Sequence, residues 1–269
     1  MNTGTLTFVG LGLFDERDIS LKGIEDIKNC DKIFAEFYTA KLTGTNIKTI
    51  EKTVGKKIEI LPRVQTENGK KILDSAKNHN TILLTCGDPM TATTHIDLRL
   101  RAIKMGIKTK VIHGSSIVTA VPGLLGLQNY KFGRTTTLAY PEKNYFPTSP
   151  YEIIRENKKM GLHTLILLDI QADKKRYMTA NEGMNLLLKM EERHKEKIID
   201  ENSVICVVAR AGSNEPVTVA GTVKDLIDRG FGQPLHTLVI PGKLHFIEIE
   251  ALQTLAQLPA QQIRKLQKL

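Results

Sequence analysis

Five short segments carry residue types suited to chemistry, and each follows or opens an apparent β-strand. The first, Gly10-Leu11-Gly12-Leu13-Phe14-Asp15, closes a strand over Thr5–Val9. Glycines in such a turn let backbone approach a ligand closely. A dinucleotide-binding turn would need a third glycine at position 15, where the chain has Asp15, and this counts against a nicotinamide or flavin enzyme. A plain tight turn explains the glycine pair equally well. The second segment, Cys86-Gly87-Asp88-Pro89-Met90-Thr91, lies just past the apolar run Thr81–Thr85, at the strand end where open α/β sheets bind ligands. Gly87 can take a positive φ, and Pro89 fixes the chain beyond Asp88. Ionised Asp88 is an acceptor suited to a ribose hydroxyl or an ammonium group; a helix cap or an Asx-turn is the alternative use of it.

The third segment, Gly114-Ser115-Ser116-Ile117, again follows a strand. Its small residues suit a ligand bound edge-on, or equally an N-cap for the helix that follows. Arg210-Ala211-Gly212-Ser213 and Pro234-Leu235-His236-Thr237 complete the set. His236 reads as a ligand contact or as a hydrogen-bonded strand-entry histidine. Together the five segments fit one ligand cleft between two domains.

The elements that position these segments alternate. After the first strand come a helix over Leu21–Asn29, a strand over Ile33–Phe37, a helix over Ile47–Val54 and a short strand over Ile58–Leu61. Asn68–Asn78 reads as a helix with Ile72, Leu73 and Ala76 on one face, and Thr94–Met105 as a helix with Ile96, Leu100 and Ile103 on its apolar stripe. Lys108–Ile112 closes a parallel, helix-flanked sheet. Composition shifts at His113-Gly114-Ser115-Ser116 and at Pro122-Gly123, so the domains are drawn as 1–114 and 115–269. The second begins with a strand near Thr135–Ala139. A helix start follows at Ser149-Pro150-Tyr151-Glu152, with Ser149 as cap, then a buried strand at His163–Asp169. A capping-box spacing, Thr179 to Glu182, precedes the stripe Met184, Leu187, Leu188. Ser203–Ala209 and Val217–Ala220 are joined too tightly to hold a helix and read as antiparallel. Leu235–Ile240 and a helix over His245–Ala256 complete a mixed unit. The fold class is therefore α/β: two α/β domains, a mostly parallel N-terminal sheet and a mixed C-terminal one, with a cofactor cleft between them.

Composition narrows the function classes. Hydrophobic residues at 41% and charged residues at 25% of 269 describe a globular protein able to bury two cores. The longest apolar runs, such as Leu165–Leu168 and Val204–Val208, are far too short to span a bilayer. The start lacks a basic n-region and a cleavage-type segment, which points to a cytoplasmic protein. Cys30, Cys86 and Cys206 form no CxxC pair, so buried, reduced thiols are expected and no metal site. The net charge of +9 favours an acidic or nucleic-acid-containing partner, although the basic residues are dispersed and no aromatic-rich basic motif accompanies them.

Taken together, the Val-Gly-Leu-Gly-Leu turn ending at Leu13, Gly87-Asp88-Pro89 and Ala209-Arg-Ala-Gly212 resemble the tetrapyrrole-methylase-type S-adenosylmethionine enzymes. Among these the chain is closely similar to the diphthine synthases, through Gly87–His95, His113–Ile117, Leu127–Gly133, His163–Ile170, Arg176–Met178 and Pro234–Leu238. The resemblance implies an S-adenosylmethionine site lined by Leu13, Asp88, Thr91, Ser116, Ile117, Leu168, Ala211 and His236, with Thr91 and Ala211 contributing through backbone. Leu168 and Ile117 would form a short apolar wall beside the donor. It also implies a homodimer and repeated N-methylation of a modified histidine on translation elongation factor 2, with no membrane or direct nucleic-acid requirement. No dedicated base stands out among the residues. Tyr130, Phe132 and Tyr140 are candidate aromatic faces for a trimethylammonium product, or ordinary core aromatics. Two other readings are a methyltransferase of the same fold acting on a corrin or ribosomal RNA, and a non-catalytic nucleotide- or RNA-binding module.

Overall fold

The computed structural model describes residues 4–38, 40–142 and 145–266. The chain forms two compact units. One comprises residues up to Ile117 together with Ile170–Lys175; the other comprises Val118–Asp169 and the residues from Arg176 onward.

In the first unit the order is β1 (Thr5–Gly10), α1 (Leu21–Asn29), β2 (Lys32–Glu36), α2 (Ile47–Val54), β3 (Glu59–Ile60), α3 (Arg63–Asn68), α4 (Lys70–Ala76), β4 (Asn80–Thr85), α5 (His95–Lys104) and β5 (Lys108–Ile112). The strands lie in the order β3-β2-β4-β1-β5, and every pair is parallel. Side chains alternate across the sheet. Leu6 and Phe8 therefore join Ile72, Leu83 and Leu98 in one core layer, while Val9 joins Ile27, Ile50, Ile82 and Leu84 in the other.

Two helices depart from their sequence patterns. The helix expected over Asn68–Asn78 forms as α4 over Lys70–Ala76, and a further short helix, α3, not expected from the sequence, precedes it; Gly69, with a φ of +68°, ends α3 and opens α4, since glycine enters the left-handed region without the Cβ penalty. In α5 the stripe Ile96, Leu100, Ile103 faces outward, each about half exposed, and the buried face is His95, Leu98 and Ala102. The buried side carries a small residue and a histidine, so its apolar signal is the weaker of the two even though it meets the sheet.

α6 (Ile117–Leu125) leads on to β6 (Thr136–Leu138), α7 (Ser149–Lys159), β7 (Thr164–Leu168), β8 (Ile170–Gln171), β9 (Arg176–Tyr177), α8 (Ala180–His194), β10 (Val204–Ala209), β11 (Val217–Thr222), α9 (Val223–Leu226), β12 (His236–Ile240), α10 (Phe246–Ala256) and α11 (Ala260–Leu266). The second sheet runs β11-β10-β12-β7-β6. Its β11–β10, β10–β12 and β12–β7 pairs are antiparallel and its β7–β6 pair is parallel. The expected capping box of Thr179 and Glu182 is formed at the start of α8. At α7 the cap is Thr148, one residue before the expected Ser149; proline lacks an N–H and is accommodated anywhere in the first turn. Leu138, Tyr151, Ile166, Met184, Val207 and Leu238 centre the second core. All three cysteines are buried and free.

Candidate active site

The strand order places a topological switch in the first unit. From β1 the chain moves toward β2 on one side, and from β4 it moves to β5 on the other. The crevice at the carboxyl ends of β1 and β4 is the ligand position such sheets provide. Gly12 N donates to Gly87 O at 3.3 Å and Gly87 N to Gly12 O at 2.7 Å, so the first two segments are stitched together. A Cβ on Gly10 would lie 2.5 Å from Gly87 O and 2.6 Å from the Gly114 nitrogen. Gly10 is thus required by close packing of three backbones, while Gly12 and Gly87 take φ values of +78° and +70°. Beyond Gly12, the Leu13 and Phe14 amides donate to Asp18 Oδ2 at 3.0 and 2.7 Å, which holds the turn. Asp15, where a dinucleotide turn would have glycine, receives the Arg17 amide at 2.9 Å and caps a short 3-10 turn.

Asp88 is buried beside this junction. Its Oδ1 accepts the Met90 amide at 2.9 Å, an Asx-turn, and the Thr91 hydroxyl at 3.2 Å. Its Oδ2 lies 2.7 Å from His113 Nδ1. A carboxylate only accepts, so Nδ1 carries the proton. Burial pushes the Asp88 carboxyl up, but the bonds from Met90, His113 and Thr91 outweigh it and hold the group below its ordinary value. With about four accepting positions on a carboxylate, Asp88 keeps capacity for one further donor. Thr91 uses its hydroxyl as well as its backbone here. Ser116 is buried, Leu13 and Ile117 are half-buried, and Ser116 immediately precedes α6.

Leu168, Ala211 and His236 lie at one end of the second sheet. β7 ends at Leu168, β12 starts at His236, and Ala209, the last residue of β10, lies opposite His236. Arg210 has a φ of +52° and donates through Nη1 to Phe231 O and Gln233 O at 2.7 and 3.1 Å, which pins the turn carrying Ala211. His236 accepts the Ala180 amide at Nδ1 and donates from Nε2 to Gln233 O, both at 3.1 Å. Burial pushes its pKa down, so the ring is neutral. With both nitrogens engaged, His236 can offer a ligand its backbone or its ring face.

The three aromatic candidates separate. Tyr130 is exposed, Phe132 packs edge-on to His163 with centroids 5.2 Å apart, and Tyr140 already holds the Arg176 guanidinium 3.4 Å over its ring. His113 opens one of the segments that carry the family resemblance but was not among the site residues expected from the sequence; the available signal was its position as the first residue beyond β5. Among the described residues, no three His, Cys, Asp or Glu side chains gather as a metal ion would require, and no helix is long and apolar enough to cross a membrane.

Over residues 5–227 the chain matches the family of tetrapyrrole (corrin/porphyrin) methylases. The chain belongs to that family, and it is a methyltransferase. It is 53% identical over 251 residues to the diphthine synthase of Methanococcus vannielii, covering 93% of this chain and 98% of the relative. It is 53% identical over 255 residues to that of Methanocaldococcus jannaschii, covering 94% and 99%. A crystal structure of a diphthine synthase superposes with a TM-score of 0.87 at 38% identity, covering 97% of this chain and 99% of that one. Within the family the chain groups with the diphthine synthases.

Proposed function

We propose that the chain transfers methyl groups from S-adenosylmethionine, repeatedly, to the amine of a 2-(3-amino-3-carboxypropyl)histidine on translation elongation factor 2, yielding diphthine in diphthamide biosynthesis. The observation that carries this reading is 53% identity to diphthine synthases over nearly both full lengths. The residues present fit the donor. Three turns of small residues converge at the switch point with backbones packed at a distance only glycine allows, and Asp88 offers an acceptor beside them. Leu13, Asp88, Thr91, Ser116 and Ile117 of the first unit, and Leu168, Ala211 and His236 of the second, are the residues that would bind it.

Bound S-adenosylmethionine supplies a methyl already activated by its sulfonium. The protein's work is alignment of the amine with that methyl, exclusion of water by apolar side chains such as Ile117 and Leu168, and removal of the amine's proton. The same reading includes a homodimer acting in the cytoplasm.

The test is mass spectrometry of elongation factor 2 carrying the unmethylated precursor, incubated with this protein and S-adenosylmethionine. Successive increments of one methyl on that residue are expected. No transfer to it, alongside efficient methylation of a corrin or RNA, would overturn the assignment.

A further inference from the structure

We propose that His113, oriented by Asp88, is the base that removes the acceptor amine's proton before each methyl transfer. The proposal rests on the reading of the chain as an amine methyltransferase, and adds a residue for a step that otherwise has none. The chain has seven histidines, and the structure eliminates the others. His95 is 3% exposed, so its Nε2 cannot meet a substrate. His163 is fully buried between Glu248 and the Gly242 amide, and His236 has both ring nitrogens bonded. His194 is stacked on Tyr151 at a centroid distance of 4.5 Å, and His245 caps α10. His79 precedes β4 and lies at the opposite end of the sheet from the switch point.

His113 differs in every respect that matters. It follows β5 directly, at the carboxyl end of the parallel sheet, and Gly114 beside it packs against the backbones of Gly10 and Gly87. Its side chain is 74% exposed. Its Nδ1–H is committed to Asp88 Oδ2 at 2.7 Å, so Nε2 is the ring nitrogen whose lone pair can take a proton. Asp88 cannot swing away to follow the histidine, because the Met90 amide and Thr91 hydroxyl hold its other oxygen. A base fixed in one tautomer by a carboxylate that is itself anchored is the arrangement that activates weak nucleophiles in general. Among the residues of the three turns that meet here, Gly10–Gly12, Cys86–Asp88 and His113–Ser116, Asp88 is the only carboxylate and His113 the only imidazole.

The step balances without any further reagent. An N–H bond of the substrate ammonium breaks and its proton passes to His113 Nε2. The freed lone pair forms the new nitrogen–carbon bond as the methyl carbon–sulfur bond breaks and its electron pair stays on sulfur. The imidazolium is stabilised by Asp88 and returns its proton to water. Solvent exposure of the ring allows that reset between successive methylations, each of which again begins from an ammonium.

The experiment compares wild type with His113→Asn and His113→Ala, using saturating S-adenosylmethionine and precursor-bearing elongation factor 2. Asparagine retains a donor toward Asp88 but no base. A positioned base contributes about 10²–10⁴-fold, so kcat for the first methyl should fall by that range, with the Kd for S-adenosylmethionine by calorimetry changing less than about 3-fold. Free imidazole should restore part of the His113→Ala rate, and rising pH, which delivers the amine unprotonated, should narrow the gap for both variants. A His113→Asn kcat within about 3-fold of wild type, or a defect confined to cofactor affinity, would overturn the proposal. Absence of transfer by wild type would instead overturn the amine-methyltransferase reading itself.

Discussion

Replacing Glu248 by glutamine tests the buried polar network of the second unit. Glu248 is fully buried at the start of α10. Its Oε1 accepts from the Gln128 amide at 2.9 Å and from His163 Nε2 at 3.0 Å. Its Oε2 accepts from the His245 amide at 2.8 Å and from Lys131 Nζ. Burial alone would raise the carboxyl's pKa, but these donors reverse the effect and bring it from its ordinary 4.5 down to about 2. At 1.36 kcal/mol per pKa unit, that difference corresponds to about 3 kcal/mol of folding free energy. Because the folded-state pKa is the lower one, the contribution is complete above about pH 4.5 and is lost as pH falls toward 2. His163 adds an earlier loss on acidification: burial holds its pKa below the ordinary imidazole value, so protons bind the unfolded chain first. In Glu248→Gln either orientation of the amide aims its NH₂ at two donors. The His163 tautomer cannot switch to relieve this, since Nδ1 accepts the Gly242 amide at 2.9 Å. Two buried donors left without an acceptor cost about 1–3 kcal/mol each; Lys131 is partly exposed and can turn to water, so a net loss of about 3 kcal/mol is expected. At roughly 2–4 °C per kcal/mol for a domain of 150–250 residues, this appears in calorimetry at pH 7 as a melting point lowered by about 6–12 °C. The stability difference from wild type should shrink between pH 4.5 and 2. A variant within about 0.5 kcal/mol of wild type at pH 7 would refute the reasoning.

Gly10→Ala should abolish S-adenosylmethionine binding and destabilise the protein, because its new methyl would meet backbone atoms of Gly87 and Gly114 at 2.5 and 2.6 Å and cores resist such insertion by about 1–3 kcal/mol; the control Gly123→Ala, with nothing within 4 Å of the added carbon, should melt no lower than wild type. Asp88→Ala should weaken S-adenosylmethionine binding by about 10- to 100-fold, as expected for loss of one charged hydrogen bond of about 1.5–3 kcal/mol. Calorimetric titration giving an unchanged Kd would remove Asp88 from the cofactor's contacts.

Much of the architecture was legible because its causes are local. Strand β5 and helices α1 and α2 carry their hydrophobic period, their caps and their stops within about ten residues each, and they form where the pattern places them. The capping box at Thr179 and the tight connection between β10 and β11 are local in the same sense. Helix α5 shows where this reasoning ends. Its stronger apolar stripe points outward, because which face of a helix is buried depends on the surface it meets, and that surface is assembled from β5 and from core residues of β1, β4 and α4.

The candidate site divides along the same line. Glycine turns at strand ends, an acceptor at Asp88 and a histidine at the entry of β12 could be read from residue types in order. What each atom does could not. Asp88 and His113 are 25 residues apart and become partners only because β4 and β5 flank β1 in the parallel sheet, which brings their carboxyl ends together. His236 is neutral with both nitrogens engaged because folding buries it against the Ala180 amide and Gln233 O. The sequence by itself determined the alternation of elements, the two sheets and the turn chemistry, since those follow from short-range sterics and side-chain period. Only the tertiary structure decided which turns pack backbone to backbone, which carboxylate orients which imidazole, and which histidine keeps an open nitrogen, because hydrogen bonding and desolvation act between groups that the chain connects only through the fold.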